Sequence, residues 1–568
     1  MEDGLLLTLA LAGMTIAFFM ASRRRRGSPI SLLLEQAHAE FSEQKLTDAR
    51  VCYDRALYLI RQESASEDDR EWLATALNGL AYVDFEEQNF DAARQSFQGS
   101  VEACGEQHSI IEVSSRAMLV RIAAESADNS AAVDSQLTSL AATLEALPPE
   151  PALEAAHFLS HFAEPLLEDE LAFLVDPIVS MTKSVVDRLP AELMRSELVL
   201  DVLNIASWSE VIACRWQKAK ELSDRAIAIS EENATDLTQT LFCLQLASSI
   251  DVQLDNLPAA EEKARRAVSG AETAPATPWS VAQARSQLAD VLSNRGELEE
   301  ALQQQQSAVD LIERFHDEPR AKFREYAQEA SCLRDQARYD DAFARLRECQ
   351  QIHDETPMPA WFFKYFLMVR GLCLLDCRQY EDARGDFREA AVTSRDLYGD
   401  HHESFLRARL LELSVDQESG DGDGESARQE VAEILKQEIG SDLRLAALVL
   451  LAMLDCDLGQ LKSAEEYARE AIRQYEDRCG GRTQTAALAS QTLGRILIET
   501  SRPAEATRCL EEALQKRESV PGGDRCPYTA RGLEPLALAA TAQGQSGQAA
   551  TFEEHASAIR KEVDAAAK

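Results

Sequence analysis

Five stretches decide the fold: 216-WQKAKELSDRA-226, 257-LPAAEEKARRA-267, 298-LEEALQQQQSA-308, 339-YDDAFARLREC-349 and 380-YEDARGDFREA-390. Each opens on an aromatic or aliphatic residue and carries an alanine three places on, namely Ala219, Ala260, Ala301, Ala342 and Ala383, so the step is 41 residues four times over. Seven places after each alanine stands another small residue (Ala226, Ala267, Ala308, Cys349, Ala390), and twelve places before it stands a third (Ser207, Ser248, Ala289, Ala330, Gly371). The register continues more loosely through Ala427, Ala464, Ala506 and Ala549, and is present near the start at Ala49 and Ala93. Self-similarity at such a period signals stacked supersecondary units. One helical hairpin cannot bury both of its faces, so hairpins stack and each touches only its neighbours. Small residues let the helices approach closely.

Working outward, the chain beyond residue 30 alternates amphipathic stretches of helical period with short breaks, and no alternating β-branched run is long enough for a strand. The expected class is all-α, a right-handed solenoid of about a dozen hairpins. Between 101 and 200 the register decays and Pro148, Pro149 and Pro151 interrupt it.

Leu80-Ala81 and Leu493-Gly494, with aromatic Tyr53, Phe97 and Phe387 four places after their alanines, resemble the tetratricopeptide repeat family. That family's usual period is about 34 residues, so a period of 41 resembles the longer repeats of the kinesin light chain subtype. The link 397-LYGDHH-402 is similar to the Gly-x-x-His-like connection of that subtype, and 479-CGGRTQT-485 is a weaker echo. The resemblance implies a non-catalytic scaffold whose first helices line a groove for a protein or peptide ligand. Carried over by register, the groove positions include Asn78, Tyr82, Asn204, Trp208, Gln245, Asp290, Asn294, Arg334, Gln491 and Arg495. Trp208 and Arg334 are the strongest anchors by residue type. None of these positions is a lysine, which disfavours a chaperone-tail clamp of the kind some family members form.

Of the 568 residues, 58 are Lys or Arg and 97 are Asp or Glu, for a formal charge of −39. Such a surface repels a polyanion, so no nucleic-acid partner is expected. Leu5–Ser22 is eighteen residues without a charge, followed by Arg23, Arg24, Arg25 and Arg26. Eighteen residues at about 1.5 Å each reach about 27 Å, enough to span a bilayer, and the arginines after the segment would hold the rest on the cytoplasmic side. The expected order is a short non-cytoplasmic tail (1–4), a transmembrane helix (5–22), a basic juxtamembrane linker (23–30), repeats (31–100), degenerate helical repeats (101–200) and repeats again (201–565). The twelve cysteines are scattered, as reduced core residues are. The expected protein is a membrane-anchored receptor or scaffold with a cytoplasmic repeat region, self-association being open to it. The alternative is an exported repeat protein of envelope or secretory assembly.

No phosphate loop, nucleophile elbow or paired catalytic carboxylate stands at a recognisable spacing, so neither an enzyme nor a cofactor is expected. Two constellations carry a further, metal-dependent alternative. His157 and His161 share a helix face with Glu164. Ser419, Asp421, Asp423, Gly424 and Glu430 fall at positions 1, 3, 5, 6 and 12 of a calcium-loop count, though position 1 should be Asp. Cys373 and Cys377, one turn apart, read as core packing.

Overall fold

The computed structural model describes residues 28–62, 67–105, 108–125, 130–166, 171–233, 237–273, 277–315, 318–437, 439–480, 483–519 and 522–566. Among these are 26 α-helices and no strand. They divide into two compact units, Met1–Ile212 with Ala228–Thr235, and Ala213–Ile227 with Asp236–Lys568. The first unit holds α1 (Pro29–Ser42), α2 (Leu46–Gln62), α3 (Glu67–Glu86), α4 (Phe90–Cys104), α5 (Ile110–Glu125), α6 (Ser130–Ala146), α7 (Pro149–Leu166), α8 (Val175–Asp187) and α9 (Glu197–Ile212), and α10 (Trp216–Asn233) contributes to both. The second holds α11 (Leu237–Gln253), α12 (Leu257–Thr273), α13 (Pro278–Asn294), α14 (Leu298–Phe315), α15 (Pro319–Asp335), α16 (Tyr339–Glu355), α17 (Ala360–Asp376) and α18 (Tyr380–Tyr398). It continues through α19 (Glu403–Ser419), α20 (Gly424–Leu435), α21 (Ser441–Asp457), α22 (Leu461–Cys479), α23 (Gln484–Glu499), α24 (Pro503–Glu518), α25 (Pro527–Ala542) and α26 (Ser546–Ala566).

Local chemistry starts these helices. Proline occupies the first turn of α1, α13, α15, α24 and α25, where its missing N–H costs nothing. Ser28 Oγ accepts from the Ser31 N–H at 3.1 Å and Thr277 Oγ1 from the Ser280 N–H at 3.2 Å, satisfying donors the helix leaves open.

The alanines that set the register, Ala219, Ala260, Ala301, Ala342 and Ala383, are all fully buried, as are the small residues seven places on. Ser248, at the earlier small position, donates its Oγ hydrogen to the Ala260 carbonyl at 2.8 Å. At Gly371 the fit is tighter still, because a Cβ there would meet Phe387 Cε1 at 2.6 Å. In this hairpin the first helix gives up its side chain to the aromatic of the second.

Five residues before ten of the register alanines, all but Ala427, the hairpin turn takes a left-handed backbone. Gly296, Gly459 and Gly544 fill that position in three turns, whereas Gln44, Gln88, Cys214, Asp255, Ala337, Arg378 and Ser501 fill it at φ of 55–63° in the others. A side chain there costs about 1–2 kcal/mol. Ser501 is exposed and makes no side-chain hydrogen bond among those described. Ser501→Gly is therefore expected to raise the thermal midpoint, by up to about 1 kcal/mol of stability after the unfolded-state entropy of glycine is counted. Ala289→Gly, in the interior of α13, is expected to lower it by about 1 kcal/mol.

Ion pairs latch consecutive hairpins. The residue directly after the register alanine reaches an acid on the next first helix: Arg50 to Asp84 at 2.6 Å, Lys220 to Asp251 at 3.0 Å, Arg384 to Asp416 at 2.7 Å, and Arg428 to Asp455. Asp251 and Asp455 are fully buried. Buried carboxylates of this kind are held by partners rather than by water.

Within the second unit the stack winds back on itself. Trp216 Nε1 donates to Glu403 Oε2 at 3.2 Å, 187 residues away; Arg478 Nη2 donates to Asn294 Oδ1 at 3.1 Å, 184 away; and Arg517 Nη2 donates to the Asp335 carbonyl at 3.0 Å, 182 away. The separation is nearly constant, so one superhelical turn takes between four and five hairpins of 41 residues.

The expected anchor, residues 5–22 with Arg23, Arg24, Arg25 and Arg26, lies outside the described residues. Among the described residues no helix is long and apolar enough to cross a membrane. The single-pass membrane localisation is corrected accordingly. Even α17, among the most apolar helices, carries Lys364, Arg370 and Asp376 within its 17 residues.

Candidate functional site

The first helices of the second unit converge on a cavity of about 400 Å³. α13 supplies Asp290, Ser293 and Asn294, and α15 supplies Gln328, Ser331, Arg334 and Asp335. α17 and α19 add an apolar floor of Met368, Leu372, Leu375, Leu410 and Leu411. The returning turn of the superhelix closes it with Asp442, Arg478, Arg517 and Tyr528.

Beneath the lining sits a buried carboxylate, Asp376, 1% exposed. It accepts from Arg334 Nε at 2.7 Å, Arg334 Nη2 at 3.3 Å, Tyr339 OH at 3.3 Å and Tyr528 OH at 2.8 Å. Burial works against the Arg334 charge, but Asp376 more than offsets it and holds the guanidinium pKa well above its ordinary value. Burial, and then the Asp376 charge, push both tyrosines well above theirs. Three chain segments up to 194 residues apart, 334 to 528, are thus tied to one side chain.

Asp290 is the lining acid in the opposite condition. Burial first, and the Asp442 charge second, push its pKa from 3.8 to about 6, while Arg478 only moderates the rise. The unfolded chain loses this proton near pH 3.8 and the folded chain near 6, so the folded state holds the extra proton in between. Stability present below the unfolded value is lost as pH rises through about 6. Asp290→Asn is expected to match the wild type near pH 4 and to exceed it at pH 7.5 by about 1–2 kcal/mol, read as denaturant midpoints at the two pH values.

The residues assigned to the groove from the sequence are distributed as follows. Asp290, Asn294 and Arg334 line the cavity together. Arg334 is engaged by Asp376 and Asn294 by Arg478, so Asp290 is the lining residue of the three with no ion pair or side-chain hydrogen bond among those described. Gln491 and Arg495 line a second cavity of about 730 Å³ in the same unit, where Gln491 donates to the Tyr528 carbonyl and Arg495 pairs with Asp457. Gln245 is half-buried on α11 and lines neither cavity.

The other four lie in the first unit. Asn78 is 1% and Tyr82 2% exposed. Asn78 Nδ2 donates to Ser115 Oγ at 2.8 Å, and Tyr82 shares a hydrogen bond with Ser114 Oγ at 3.0 Å while its ring meets Phe97 edge-on at 5.2 Å. Asn78 and Tyr82 therefore join α3 to α4 and α5 rather than present a face to a ligand. Asn204 is also buried, at 4%, whereas Trp208 is exposed to 38%.

The calcium-loop reading is corrected. α20 begins at Gly424, so Glu430 lies within a helix and not at the end of a loop. Arg384 Nη2 donates to Ser419 Oγ at 3.0 Å and to Asp421 Oδ2 at 3.2 Å, Asp423 caps the Glu425 N–H, and Glu430 pairs with Arg409 at 2.7 Å. Arginines and a backbone N–H already hold these oxygens. Cys373 and Cys377 are buried core thiols. His157 and His161 meet Asp201 of α9, with His157 Nε2 at 3.1 Å from Asp201 Oδ2. The Glu164 side chain lies outside the described residues.

Sequence reasoning missed Arg478, Arg517, Tyr528 and Asp376. The last is five places past the small residue Gly371, where Asn294 and Asp335 stand in their own hairpins. Recurrence of Asn and Asp at that place is the signal that could have found it.

Residues 484–562 and residues 281–316 each match a family profile described as Tetratricopeptide repeat. Over 97% of its length the chain is similar to a chain in the crystal structure of the APC/C hetero-tetramer Cut9-Hcn1, of which it covers 89%, at 12% identity and a TM-score of 0.51. It is also similar to the Rap protein complexed with competence and sporulation factor, covering 74% of this chain and 100% of that one at 13% identity and a TM-score of 0.40. No curated protein matches the sequence. The chain carries tetratricopeptide repeats. Neither match singles out the kinesin light chain-like subtype; in 397–402 Gly399 closes α18 at φ 90° and His402 caps α19 through its Nδ1.

Proposed function

We propose that this chain is a non-catalytic interaction scaffold that takes a peptide segment of a protein partner into the cavity of its second unit, with a Lys or Arg of that segment placed against Asp290. The observation that carries this reading is the mismatch inside the cavity. Arg334 is held by Asp376, Arg407 by Glu403 at 3.0 Å, and Arg478 by Asp442 at 2.5 Å, while Asp290 has no ion-pair partner among the described residues. A desolvated carboxyl with like charges nearby gains from an incoming cation, which restores its charged form. The Gln328 amide nitrogen and the Ser331 hydroxyl supply polar groups suited to a peptide backbone. Stacked repeats that bind through their first helices fit the tetratricopeptide fold.

The test is selection of displayed random peptides on the full chain, followed by anisotropy titration of the enriched sequences at pH 7.5. Enrichment of Lys- or Arg-bearing peptides, with affinity reduced about tenfold in Asp290→Asn, is the expected result. Equal affinity in wild type and Asp290→Asn would remove the cavity as the site.

A further inference from the structure

In the first unit α7 carries His157 and His161 one helical turn apart, and α9 packs against it. An adjoining side of α7 buries Phe158 and Phe162, each 1% exposed, while His157 reaches Asp201 of α9. There Asp201, 44 residues from His157, completes a cluster whose ligand atoms all lie within 4.8 Å of one another. His157 Nε2 stands 3.1 Å from Asp201 Oδ2 and 3.2 Å from His161 Nε2, and the two rings meet at 83° with centroids 4.6 Å apart.

Hydrogen bonding alone serves this geometry poorly. An imidazole nitrogen holds either a hydrogen or a lone pair. If His157 Nε2 carries a hydrogen, that one hydrogen must be shared between the carboxylate and the His161 Nε2 lone pair as a weaker three-centre bond; if it accepts from His161 instead, it presents a lone pair to a carboxylate oxygen. A divalent cation resolves the conflict, because both nitrogens and the carboxylate oxygen can then point lone pairs at one centre. Ligand atoms bound tetrahedrally at about 2.0–2.1 Å lie about 3.3 Å apart. Two of the three spacings, 3.1 and 3.2 Å, are already close to that value.

The geometry assigns a metal site of the zinc class to His157, His161 and Asp201, bridging α7 to α9. Two imidazoles and one carboxylate select a borderline transition-metal ion over calcium or magnesium, which favour all-oxygen sites. The side chains of His157 and Asp201 are 21% and 23% exposed, so water can fill a fourth position. Both histidines fall in the stretch where the 41-residue register decays, and Asp201 stands just past its end. The site's role is a cross-link between α7, which lies in that stretch, and α9, where the register resumes at Ser207.

The full chain, stripped with chelator and dialysed, is titrated with zinc chloride alone by calorimetry and with Co²⁺ alone by visible absorption. One tight equivalent, a tetrahedral Co²⁺ band and a raised thermal midpoint are expected. Affinity should fall about 100-fold or more in Asp201→Asn and in His157→Ala/His161→Ala, with wild-type helicity by circular dichroism as the check that each variant folds. His157→Gln keeps a hydrogen-bonding group of similar reach and serves if the double variant unfolds. His108→Ala, elsewhere in the unit, should bind as wild type does. Absence of a tight equivalent in the wild type overturns the assignment. So does unchanged binding in folded His157→Gln or Asp201→Asn, which would place the metal on others of the nine histidines.

Discussion

Asp376→Ala is expected to destabilise the second unit by about 3–5 kcal/mol, the cost of removing one partner of a buried ion pair. The substitution strips Arg334 of its closest carboxylate, leaving the longer pairing with Asp335 at 3.5 Å, and leaves the hydroxyls of Tyr339 and Tyr528 without the acceptor they share. All of this happens at a position 1% exposed, where water cannot substitute. Asp376→Asn keeps an acceptor but not the charge, and is expected to cost less, about 1–3 kcal/mol. Because stacked repeats need not unfold in one step, the informative measurement is hydrogen exchange resolved by helix. Loss of protection should reach α15, α17 and α25 together in Asp376→Ala, since the carboxylate joins the three through hydrogen bonds to Arg334 and Tyr528. Protection lost in α17 alone, or a global change below about 1 kcal/mol, would contradict the network's role.

Phe387→Ala is expected to cost about 3–5 kcal/mol. The ring is fully buried in a cluster with Leu374, Leu375, Ala383 and Val415, and it fills the space that Gly371 leaves open. The same contact makes the converse change costly. Gly371→Ala places a methyl 2.6 Å from Cε1 and 3.0 Å from Cδ1 and Cζ of that ring, closer than packed carbons stand, and should cost about 1–3 kcal/mol. The two effects are coupled. In a Phe387→Leu background Gly371→Ala should cost clearly less than in the wild type, by a coupling of at least about 0.5 kcal/mol in a double-mutant cycle. Additive costs would mean that the glycine serves some purpose other than clearance for the ring.

The repeat was legible because it rests on local and nearest-neighbour packing. A hairpin buries the same positions wherever it occurs in the stack, so Ala219, Ala260, Ala301, Ala342 and Ala383 announce themselves by spacing alone and are all fully buried. The left-handed turns were less legible, since only three of ten carry the glycine that advertises such a backbone. The inter-hairpin latches could have been found by pairing the residue after each register alanine with acids 27–34 places on. Groove positions transferred by register reached Asp290, Asn294 and Arg334 in one cavity but also named Asn78 and Tyr82, which are core. Register says which way a helix face points, not whether a neighbouring helix already covers it.

The amino-acid sequence by itself determined the all-α class, the 41-residue step and the small-residue seams, because each depends on contacts within one hairpin or between adjacent ones. Tertiary structure alone decided where the stack meets itself. The pairings of Trp216 with Glu403, Arg478 with Asn294, and Tyr528 with Asp376 span 187, 184 and 152 residues. They follow from small rotations between successive hairpins that accumulate over a whole superhelical turn. No local pattern records that sum. The meeting of His157 and His161 with Asp201 has the same character, since a helix displays its own residues at three- and four-place spacing but leaves its neighbour's contribution to the packing.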